Sequence, residues 1–368
     1  MSKGKVLLGM SGGVDSSVAA LLLLRQGYDV TGVTLRLRPD EFSGRISGGC
    51  CSLSDIEDAR RVCYKLGIDH LVLNFIDLFE RDVIADFAAQ YATGLTPNPC
   101  IACNRHIKFG AMLRRAELLG FDFIATGHYA LIEQSPAGRY LLKKSPAAKD
   151  QSYVLYMLTQ EQLAHTLLPV GSYSKPEIRA LAEEAGLTVA KKPDSQEICF
   201  VEDDDYAGFL ERYTGKKAPP GDFLDTAGQV LGKHRGITHY TVGQRKGLGV
   251  SFGRPMYVTS VDAEHNAVTL GEEGSQYSSV LTARKINYIP FDAPDGELQV
   301  EAKARYAARP AKAKLIPLEN GRARVEFQEP QRAVTPGQAV VFYDGDVVLG
   351  GGTIERPETG TTDQSLSR

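Results

Sequence analysis

A glycine- and serine-rich segment near the start of the chain has the composition of a phosphate-binding loop. It reads Ser11-Gly12-Gly13-Val14-Asp15-Ser16, follows a predicted strand and precedes a helix that opens at Ser17. Two glycines let backbone amides close around an anion, the serine hydroxyls add donors, and the helix N-terminus adds its positive dipole end. Asp15 would repel a phosphate unless a magnesium ion lay between them. The segment lacks the lysine of a Walker loop and the spacing of a dinucleotide fingerprint, which excludes ordinary kinases and dehydrogenases.

The cysteines are the second set of residues that could do chemistry. Six cysteines in 368 residues do not make a small disulfide-stabilised domain, so close spacings indicate metal or redox chemistry first. Cys100 and Cys103 form such a pair in a proline-containing loop, where Arg105, Lys108 and a predicted helix start should lower the pKa of the Cys103 thiol. Cys199 lies in a second polar, proline-containing segment. The alternative is that Cys103 and Cys199 are small buried hydrophobic residues.

The other cysteines have simpler interpretations. Cys63 falls on the apolar face of its helix, beside Ala59 and Leu66, and is predicted to be a core residue. Cys50 and Cys51 are predicted to be loop residues near the active site, because adjacent cysteines rarely chelate one ion well.

The first half of the chain has the alternating pattern of an α/β domain. Helix-length segments separate four predicted strands, which are Lys5–Met10, Asp29–Leu37, His70–Phe75 and Phe123–His128. This alternation predicts a doubly wound parallel sheet with helices on both faces. Ser54 with Glu57, and Ser174 with Glu177, have the spacing of capping boxes at helix starts. Glycines that should end helices are Gly27, Gly67, Gly120 and Gly186.

The second half of the chain has a β pattern. Turn sequences at Asp225–Gln229 and Ala263–Asn266 predict hairpins in a small central domain. The strands predicted after Leu281 suggest an antiparallel barrel, and they are Gly296–Ala307, Ala311–Leu318, Arg322–Gln328, Ala339–Tyr343 and Val347–Ile354. The expected domains are therefore residues 1–213 (catalytic α/β), 214–277 (central β) and 278–357 (barrel), followed by a disordered tail at 358–368.

Composition and charge restrict the functional class. The net charge of −3 argues against a histone-like binder, so contacts with nucleic acid must come from local basic patches. One candidate, here called the cationic face, lies within residues 301–325 and comprises Lys303, Arg305, Arg309, Lys312, Lys314, Arg322 and Arg324, against Glu301 and Glu319. The alternative is an ordinary solvated surface. The longest apolar run, Val18–Leu24, is too short to span a membrane, and a cytoplasmic protein is expected.

The phosphate loop resembles the SGGxDS loop of the ATP pyrophosphatase superfamily. Members of that superfamily split ATP into AMP and pyrophosphate while they adenylylate a carbonyl-type oxygen. The resemblance implies that ATP, with Mg²⁺, is held by Gly9, Met10, Ser11, Gly12, Gly13, Val14, Asp15 and Ser16. Leu35 and Gly127 lie at carboxyl ends of predicted strands, where an α/β sheet binds its ligand, and complete the implied ATP site.

Several further motifs together resemble the bacterial tRNA-specific 2-thiouridylases over nearly the whole chain. The motifs are Thr96–Asn104, Ala125–Tyr129, Lys149–Tyr153, Lys191–Phe200, Thr241–Gly249, Val334–Gln338 and Leu349–Gly352. The resemblance implies 2-thiolation of the wobble uridine in tRNAs for Lys, Glu and Gln. It also implies ATP and a persulfide sulfur delivered by a sulfur carrier or a cysteine desulfurase system.

The resemblance also assigns roles to residues. Cys103 takes the nucleophile position and Cys199 the position of the cysteine persulfide, so a Cys103–Cys199 disulfide forms at each turnover and must be reduced. Asn98, Pro99 and Cys100 correspond to the loop that contacts the target base. The implied tRNA-binding positions are His128, Lys149, Asp150, Gln151, Arg305, Tyr306 and Gln338. The run Gln244-Arg245-Lys246, which lies between glycines in the central β segment, is predicted to contact phosphates.

One departure from the family leaves the sulfur source open. Many members have Asp at the position of Cys100, whereas here Cys100, Cys103 and Cys199 could hold a [4Fe–4S] cluster with one open iron that delivers hydrosulfide. Two other hypotheses are an adenylylating enzyme that acts on a small molecule and a non-catalytic tRNA-binding or iron–sulfur carrier protein. The intact loop with Asp15 argues against the last of these.

Overall fold

The computed structural model describes residues 2–39, 53–193, 198–201 and 205–357. The chain forms two compact units. The first comprises residues 1–88, 99–214 and 345–349, and the second comprises residues 89–98, 215–344 and 350–368.

A parallel β-sheet organises the first unit. The strands of this unit are β1 (Lys5–Gly9), β2 (Asp29–Arg36), β3 (His70–Asn74), β4 (Phe123–Ala125), β5 (Ala130–Gln134), β6 (Tyr140–Lys144) and β7 (Thr166–Leu167). Five of them form the sheet in the order β3–β2–β1–β4–β7, and each neighbouring pair is parallel. The predicted α/β class is confirmed, and the four predicted strands are present with ends that differ by one to three residues.

The helices follow the strands as the sequence predicts. They are α1 (Val14–Arg25), α2 (Leu53–Leu66), α3 (Ile76–Phe79), α4 (Ala85–Ala92), α5 (Pro99–Cys103), α6 (Met112–Leu118), α7 (Gln160–Ala164), α8 (Lys175–Glu184) and α9 (Tyr206–Thr214). Helix α1 packs against α2 and α8, and its buried residues join the core of the sheet. The four predicted glycines follow helix ends with positive φ.

The two predicted capping boxes have different outcomes. At α8 the Ser174 side chain accepts a hydrogen bond from the Glu177 amide, and the Glu177 carboxylate accepts one from the Ser174 amide. This confirms the predicted cap. Helix α2 already begins at Leu53, so Ser54 lies in its first turn rather than at the N-cap.

Two π-helical segments interrupt the helices of the first unit. Glu80–Ile84 joins α3 to α4, and Asn104–Ala111 joins α5 to α6. π-Helical segments are rare and are often found at functional sites. The second segment begins directly after Cys103.

The β5–β6 hairpin and the short strand β7 were not predicted. Strands β5 and β6 pair antiparallel, and Val347 pairs with Lys143 of β6. A turn at residues 135–139 closes the hairpin, with the Ser135 amide bonded to the Arg139 carbonyl. The strands of this hairpin are only five residues long, which gives a weak alternation signal.

The second unit contains a small antiparallel and parallel sheet. Its strands are β8 (Gly221–Leu224), β9 (Val230–His234), β10 (Tyr257–Asp262) and β11 (Ala267–Gly271), in the order β10–β11–β8–β9. Both predicted hairpin turns are confirmed, because Asp225–Gln229 connects β8 to β9 and Ala263–Asn266 connects β10 to β11. Phe223, Val258, Val268 and Leu270 are buried in its core.

The remaining strands of the second unit form the predicted barrel. They are β12 (Tyr277–Tyr288), β13 (Leu298–Lys303), β14 (Ala311–Leu318), β15 (Arg322–Arg332), β16 (Ala339–Asp344) and β17 (Val347–Ile354). The order is β12–β15–β14–β13–β16–β17, and a β12–β17 pairing closes the ring. Closure leaves no exposed sheet edge.

No helix within the described ranges has both the length and the apolar character that crossing a bilayer requires.

The α8 cap generates a first prediction. Ser174→Ala removes the acceptor for the Glu177 amide and should lower the free energy of unfolding by about 1 kcal/mol. Urea denaturation of this variant, with the exposed neighbour Ser172→Ala as control, measures the effect. Equal stability of the two variants would contradict the proposed contribution of the cap.

Candidate active site

The phosphate loop lies between the carboxyl end of β1 and the start of α1. The Met10 amide donates to the Val33 carbonyl (2.7 Å) and extends the β1 ladder by one residue. The Ser11 amide donates to Ser16 Oγ (3.2 Å), and Ser16 Oγ donates to the Gly13 carbonyl (3.1 Å). Gly13 is the N-cap of α1 and has no side chain to accept from the first helical amides. Helix α1 begins at Val14, earlier than predicted, and its N-terminal amides can bind an anion.

Gly12 fixes the loop against helix α2. Its φ of +69° is in the left-handed region, and a Cβ added there would lie 2.4 Å from the Asp55 carbonyl oxygen. Only glycine fits this position, because both the backbone conformation and the close approach exclude a side chain.

Asp15 is surrounded by donors. Its Oδ1 accepts from the Tyr129 hydroxyl (2.6 Å) and the Lys175 ammonium (2.7 Å), and its Oδ2 accepts from Lys149 (3.2 Å). From the sequence, Mg²⁺ was expected to screen Asp15 from a phosphate. Two lysines supply that screening here, and a carboxylate occupied by ammonium donors is poorly suited to ligate Mg²⁺.

Gly127 and Leu35 are the other two residues of the predicted ATP site. A Cβ at Gly127 would stand 2.9 Å from the Ser16 amide nitrogen and 3.0 Å from the Asp15 carbonyl carbon. The segment after β4 therefore touches the backbone of the phosphate loop. Leu35 is half-buried near the carboxyl end of β2 and pairs with Leu73 of β3.

Cys100 and Cys103 occupy the short helix α5. Cys100 is its second residue and is exposed, whereas Cys103 is its fifth and is buried. The dipole effect falls off within the first turn of a helix, and Cys100 rather than Cys103 lies in that turn. Asn104, the next residue, donates to the Val154 carbonyl (3.0 Å), and its side-chain oxygen is buried without a hydrogen-bond partner.

Phe200 anchors the segment that contains Cys199. The Phe200 ring is buried and packs edge-on against Phe79 and Phe87, with centroid distances of 5.8 and 5.3 Å. It also contacts Phe209 of α9 at 5.2 Å. Cys199 itself is half-buried, so an aromatic cluster holds the backbone while the thiol remains accessible.

The hypothesis of a metal cluster finds no support in the geometry. Across residues 2–39, 53–193, 198–201 and 205–357, no three His, Cys, Asp or Glu side chains are placed to hold a metal ion. Cys100, Cys103 and Cys199 all lie within these ranges and do not form a ligand set. The donor set that a [4Fe–4S] cluster requires is therefore not found among the described residues.

The remaining cysteines divide into one core residue and two that are not described. Cys63 is fully buried, and burial raises the pKa of its thiol to about 11. The prediction of a core residue is confirmed. Cys50 and Cys51 lie outside the described residues.

The predicted tRNA-binding residues of the first unit have contacts within the protein. His128 is 8% exposed and shares a hydrogen bond with the Thr126 hydroxyl (2.8 Å). Burial and the charges of Lys108 and Lys149 hold the pKa of His128 well below its ordinary value, so its ring is neutral at pH 7. Asp150 accepts hydrogen bonds from Ser145 and Ser152, and Gln151 from the Tyr129 amide.

In the second unit, Gln338 supports the segment that leads to Asn98. The Gln338 side chain donates to the Thr96 carbonyl (2.8 Å), and the Thr96 amide donates to the Pro336 carbonyl (2.9 Å). Gln338 was predicted to contact tRNA. Its side-chain amide holds the backbone of Thr96, two residues before Asn98.

The cationic face is partly neutralised. Lys314 pairs with Glu297 and Glu326, Arg322 with Glu355, and Arg324 with Glu326. The three paired carboxylates lie outside residues 301–325, so counting charges within that range missed them. Tyr306 is 44% exposed and lies 5.6 Å from the Lys303 ammonium, while Arg305 Nε is buried without a hydrogen-bond partner.

The other predicted phosphate-contacting run lies in the central part of the second unit. Arg245 and Lys246 are exposed. Gln244 holds the turn, because its side chain accepts from the Thr241 amide and donates to the Lys246 carbonyl, each at 3.0 Å.

Lys192 is a site residue whose contacts sequence reasoning missed. Its ammonium donates to Asp55 Oδ1 (2.7 Å), Asp58 Oδ2 (2.7 Å) and the Gly12 carbonyl (3.1 Å). Lys192 therefore joins the phosphate loop and α2 to the segment that leads to Cys199. Burial lowers its pKa, but the hydrogen bonds to Asp55 and Asp58 raise the pKa more, so the net shift is upward from 10.5.

The first unit defines a class of protein: an α/β protein with a phosphate-binding loop after the first strand of its parallel sheet. Three family models match the chain. They are described as a tRNA methyl transferase HUP domain over residues 4–203, a tRNA methyl transferase PRC-barrel domain over residues 207–272, and an aminomethyltransferase beta-barrel domain over residues 278–354.

Comparisons with individual proteins narrow the class to one family. The chain is 58% identical to the tRNA-specific 2-thiouridylase MnmA of Acetivibrio thermocellus, which covers 96% of this chain and 100% of that protein. It is 54% identical to the same-named protein of Clostridium beijerinckii, at 96% and 99% coverage. NMN synthetase from Francisella tularensis matches with a TM-score of 0.34 and 18% identity, over 59% of this chain and 79% of that chain. The chain belongs to the tRNA-specific 2-thiouridylase family.

The contact of Gly127 with the phosphate loop generates a prediction about ATP. Gly127→Ala adds a Cβ against the backbone of Ser16 and Asp15 and should displace the loop. We expect the KM for ATP to rise about tenfold or more. Gly296→Ala is the matched control, since a Cβ there meets nothing within 4 Å. An unchanged KM in the Gly127 variant would show that the loop tolerates the displacement.

The Lys192 contacts generate a prediction about stability. Lys192→Met leaves the Asp55 carboxylate, whose side chain is 6% exposed, without its ammonium partner. The free energy of unfolding should fall by about 3 kcal/mol. Lys192→Arg keeps the charge and should lose less. Because the pKa of Lys192 is raised on folding, its stabilisation is fully present below pH 10.5 and is lost as pH rises through the shifted value. Chemical denaturation across this pH range measures both effects.

Proposed function

We propose that this chain catalyses ATP-dependent 2-thiolation of the wobble uridine in tRNAs for Lys, Glu and Gln. The observation that supports this function most directly is the phosphate loop, with its uncapped helix N-terminus and two lysines on Asp15. It occurs in a chain 58% identical to a tRNA-specific 2-thiouridylase over that protein's full length.

ATP and Mg²⁺ are the proposed small-molecule requirements. We assign the ATP site to Gly9–Ser16, Leu35 and Gly127. Gly127 lies against the backbone of Asp15 and Ser16, and Leu35 lies near the carboxyl end of β2. Mg²⁺ neutralises charge on the phosphates when it is bound to them. The protein's own part is to bind phosphate oxygens through the α1 amides and the Ser11 and Ser16 hydroxyls.

The first chemical step activates the uracil. A C2 carbonyl is a poor electrophile, so O2 first bonds to the α-phosphorus of ATP and the bond to pyrophosphate breaks. The product is an O2-adenylylated uridine, from which AMP can leave. The positive groups of the loop stabilise the charge that develops on pyrophosphate.

The second step transfers sulfur and uses both cysteines. The terminal sulfur of a Cys199 persulfide bonds to C2, and AMP leaves with the C2–O2 electron pair. The Cys103 thiolate then attacks Cys199 Sγ, which breaks the S–S bond and releases the thiocarbonyl with its sulfur. The resulting Cys103–Cys199 disulfide is reduced by an external thiol before the next turnover.

The assigned tRNA contacts lie in both units. We propose that Asn98, Pro99 and Cys100 contact the target base. Further contacts to tRNA are assigned to His128, Lys149, Asp150, Gln151, Arg305, Tyr306 and Gln338. The exposed Tyr306 ring supports base or backbone contact, whereas the internal hydrogen bonds of Gln151 and Gln338 support a role in holding tRNA-binding segments in place.

The domain division and the cellular partners are part of the same proposal. Domains at residues 1–213, 214–277 and 278–357 agree closely with the ranges of the three family models. We propose that a persulfide sulfur carrier or a cysteine desulfurase loads Cys199. Because tRNA is the substrate, the proposed site of action is the cytoplasm.

The two thiol roles predict that sulfur transfer and adenylylation can be separated. Cys199→Ser should abolish 2-thiouridine formation, by about a thousandfold or more, while AMP transfer to a wobble-uridine tRNA transcript remains measurable. Cys63→Ala, which changes a core thiol outside the site, should retain both steps. Equal loss of both steps in Cys199→Ser would count against the persulfide assignment.

The protein should be prepared free of iron under anaerobic conditions and supplied with a wobble-uridine tRNA transcript, ATP, Mg²⁺ and a persulfide donor. Formation of 2-thiouridine by the iron-free protein is the expected result. Activity that returns only with iron and sulfide would contradict the relay between Cys103 and Cys199. No thiolated product under either condition would favour a small-molecule adenylylating enzyme.

A further inference from the structure

Cys100 and Cys103 are two thiols on one short helix, and they differ strongly in exposure. Helix α5 has five residues, of which Cys100 is the second and Cys103 the fifth. Cys100 is exposed, whereas Cys103 is buried, with 9% of its surface exposed. The proposed sulfur transfer uses the buried thiol and assigns no chemical step to the exposed one.

The spacing of Cys100 and Cys103 permits a bond between them. Residues i and i+3 of an α-helix have Cα atoms about 5 Å apart, inside the range of about 4.4 to 6.8 Å that disulfides join. Their Cβ atoms must approach each other by about 1 Å from the ordinary helical separation. That shift is local, because both residues belong to one five-residue helix, which the buried Pro99 and Ile101 anchor.

Burial affects how a Cys103–Cys199 disulfide can be reduced. A thiolate must attack one of the two sulfurs of a disulfide, and access to that sulfur helps to set the rate. Cys103 is buried and Cys199 is half-buried, so a free thiol has restricted access to both sulfurs. Cys100 lies on the same helix as Cys103, and a neighbouring thiol acts at an effective concentration far above that of a free one.

We propose that Cys100 is a catalytic residue, the resolving thiol that frees Cys199 after each sulfur transfer. The proposal rests on the sulfur transfer proposed above. The Cys100 thiolate attacks Cys103 Sγ, the Cys103–Cys199 bond breaks, and Cys199 leaves as a thiolate with the electron pair of that bond. One disulfide replaces another, so this step consumes no external oxidant or reductant.

The exchange moves the disulfide to a position that a free thiol can reach. An external dithiol attacks the exposed sulfur of Cys100, supplies two electrons, and is itself oxidised to a disulfide. Cys100 and Cys103 are then thiols again. Cys199 has already regained its thiolate, so it can be loaded with a new persulfide while α5 is being reduced.

Oxidation of the full chain without tRNA or ATP tests the thiol pair. The protein is equilibrated with oxidised and reduced glutathione, remaining thiols are alkylated, and tryptic peptides are measured by mass spectrometry without reduction. Cys100 and Cys103 fall in one peptide, residues 82–105, and Cys199 falls in another, residues 192–212. A disulfide within the first peptide makes it two hydrogens lighter and leaves it uncrosslinked. This form should exceed the crosslinked form about tenfold or more, because its two thiols share one helix.

A single turnover tests the exchange step. Protein with a persulfide on Cys199 receives a wobble-uridine tRNA transcript, ATP and Mg²⁺ without a reductant, and the same peptides are measured. The unchanged protein should finish with the Cys100–Cys103 disulfide, whereas Cys100→Ser should finish with the two peptides crosslinked. With a limiting dithiol, the ratio of the steady-state rate to the first-turnover rate should fall about tenfold or more in Cys100→Ser. Cys63→Ala, which removes a buried thiol, is the control and should match the unchanged protein.

The outcomes separate this proposal from the proposed function. If oxidation of the unchanged protein gave only the crosslinked peptides, or no internal disulfide, the role of Cys100 would be overturned. An equal rate ratio in Cys100→Ser and the unchanged protein would overturn it as well. If Cys100→Ser does not fold, Cys100→Asp, with the residue that many family members have, is measured under the same criteria. A Cys100–Cys103 disulfide on oxidation would support the pair even if no 2-thiouridine formed, a result that would overturn only the tRNA substrate.

Discussion

The close contact between Gly12 and the backbone of Asp55 is the constraint on which the site depends. A phosphate loop needs its amides held open, and this loop has no side chain at its N-cap to do so. Helix α2 supplies the support from one side, and Lys192 ties the Gly12 carbonyl to two carboxylates of that helix. The conformation of the loop is therefore fixed before ATP binds, so binding does not include the entropic cost of ordering the loop.

Lys192 also links the phosphate loop to the segment that leads to Cys199. Lys192 lies seven residues before Cys199 in the sequence, and Arg179 of α8 bonds to the Ala190 carbonyl in the same segment. The elements that shape the phosphate loop thus also hold the backbone that leads to Cys199. The ion pairs of Lys192 with Asp55 and Asp58 therefore support the loop and this segment together.

Local patterns explain why much of the architecture could be predicted. The strands β1 and β2 have buried runs bounded by glycine or polar residues, and β14 and β17 match their predicted bounds. The π-helical segments could not be predicted, because they are defined by which carbonyl each backbone amide bonds to and not by the type of side chain. The five-residue hairpin strands were too short for periodicity to be distinctive.

At the site, the phosphate loop could be predicted from its local motif, whereas the partners of the charged side chains could not be predicted. The Ser11–Ser16 loop was recognisable from composition alone, since glycine spacing is a local property. The Asp15–Lys175 pair and the carboxylates that neutralise Lys314 and Arg322 join residues brought together only by folding. Counting charges along the sequence therefore overestimated the net positive charge of the cationic face. It also did not identify Lys175 as a cation beside Asp15.

The π-helical segment after Cys103 has a consequence for how the gene can vary. Each residue of an α-helix advances the chain by about 100° around the axis, and a π segment accommodates its extra residue by wider hydrogen bonding. Loss of one codon between residues 104 and 111 would let the segment close into a regular helix. That change would turn Cys103 to a different side of the helix relative to α6. A change in the length of this stretch would therefore reorient the thiol, and its buried side chains, Asn104, Ile107 and Phe109, restrict substitution as well.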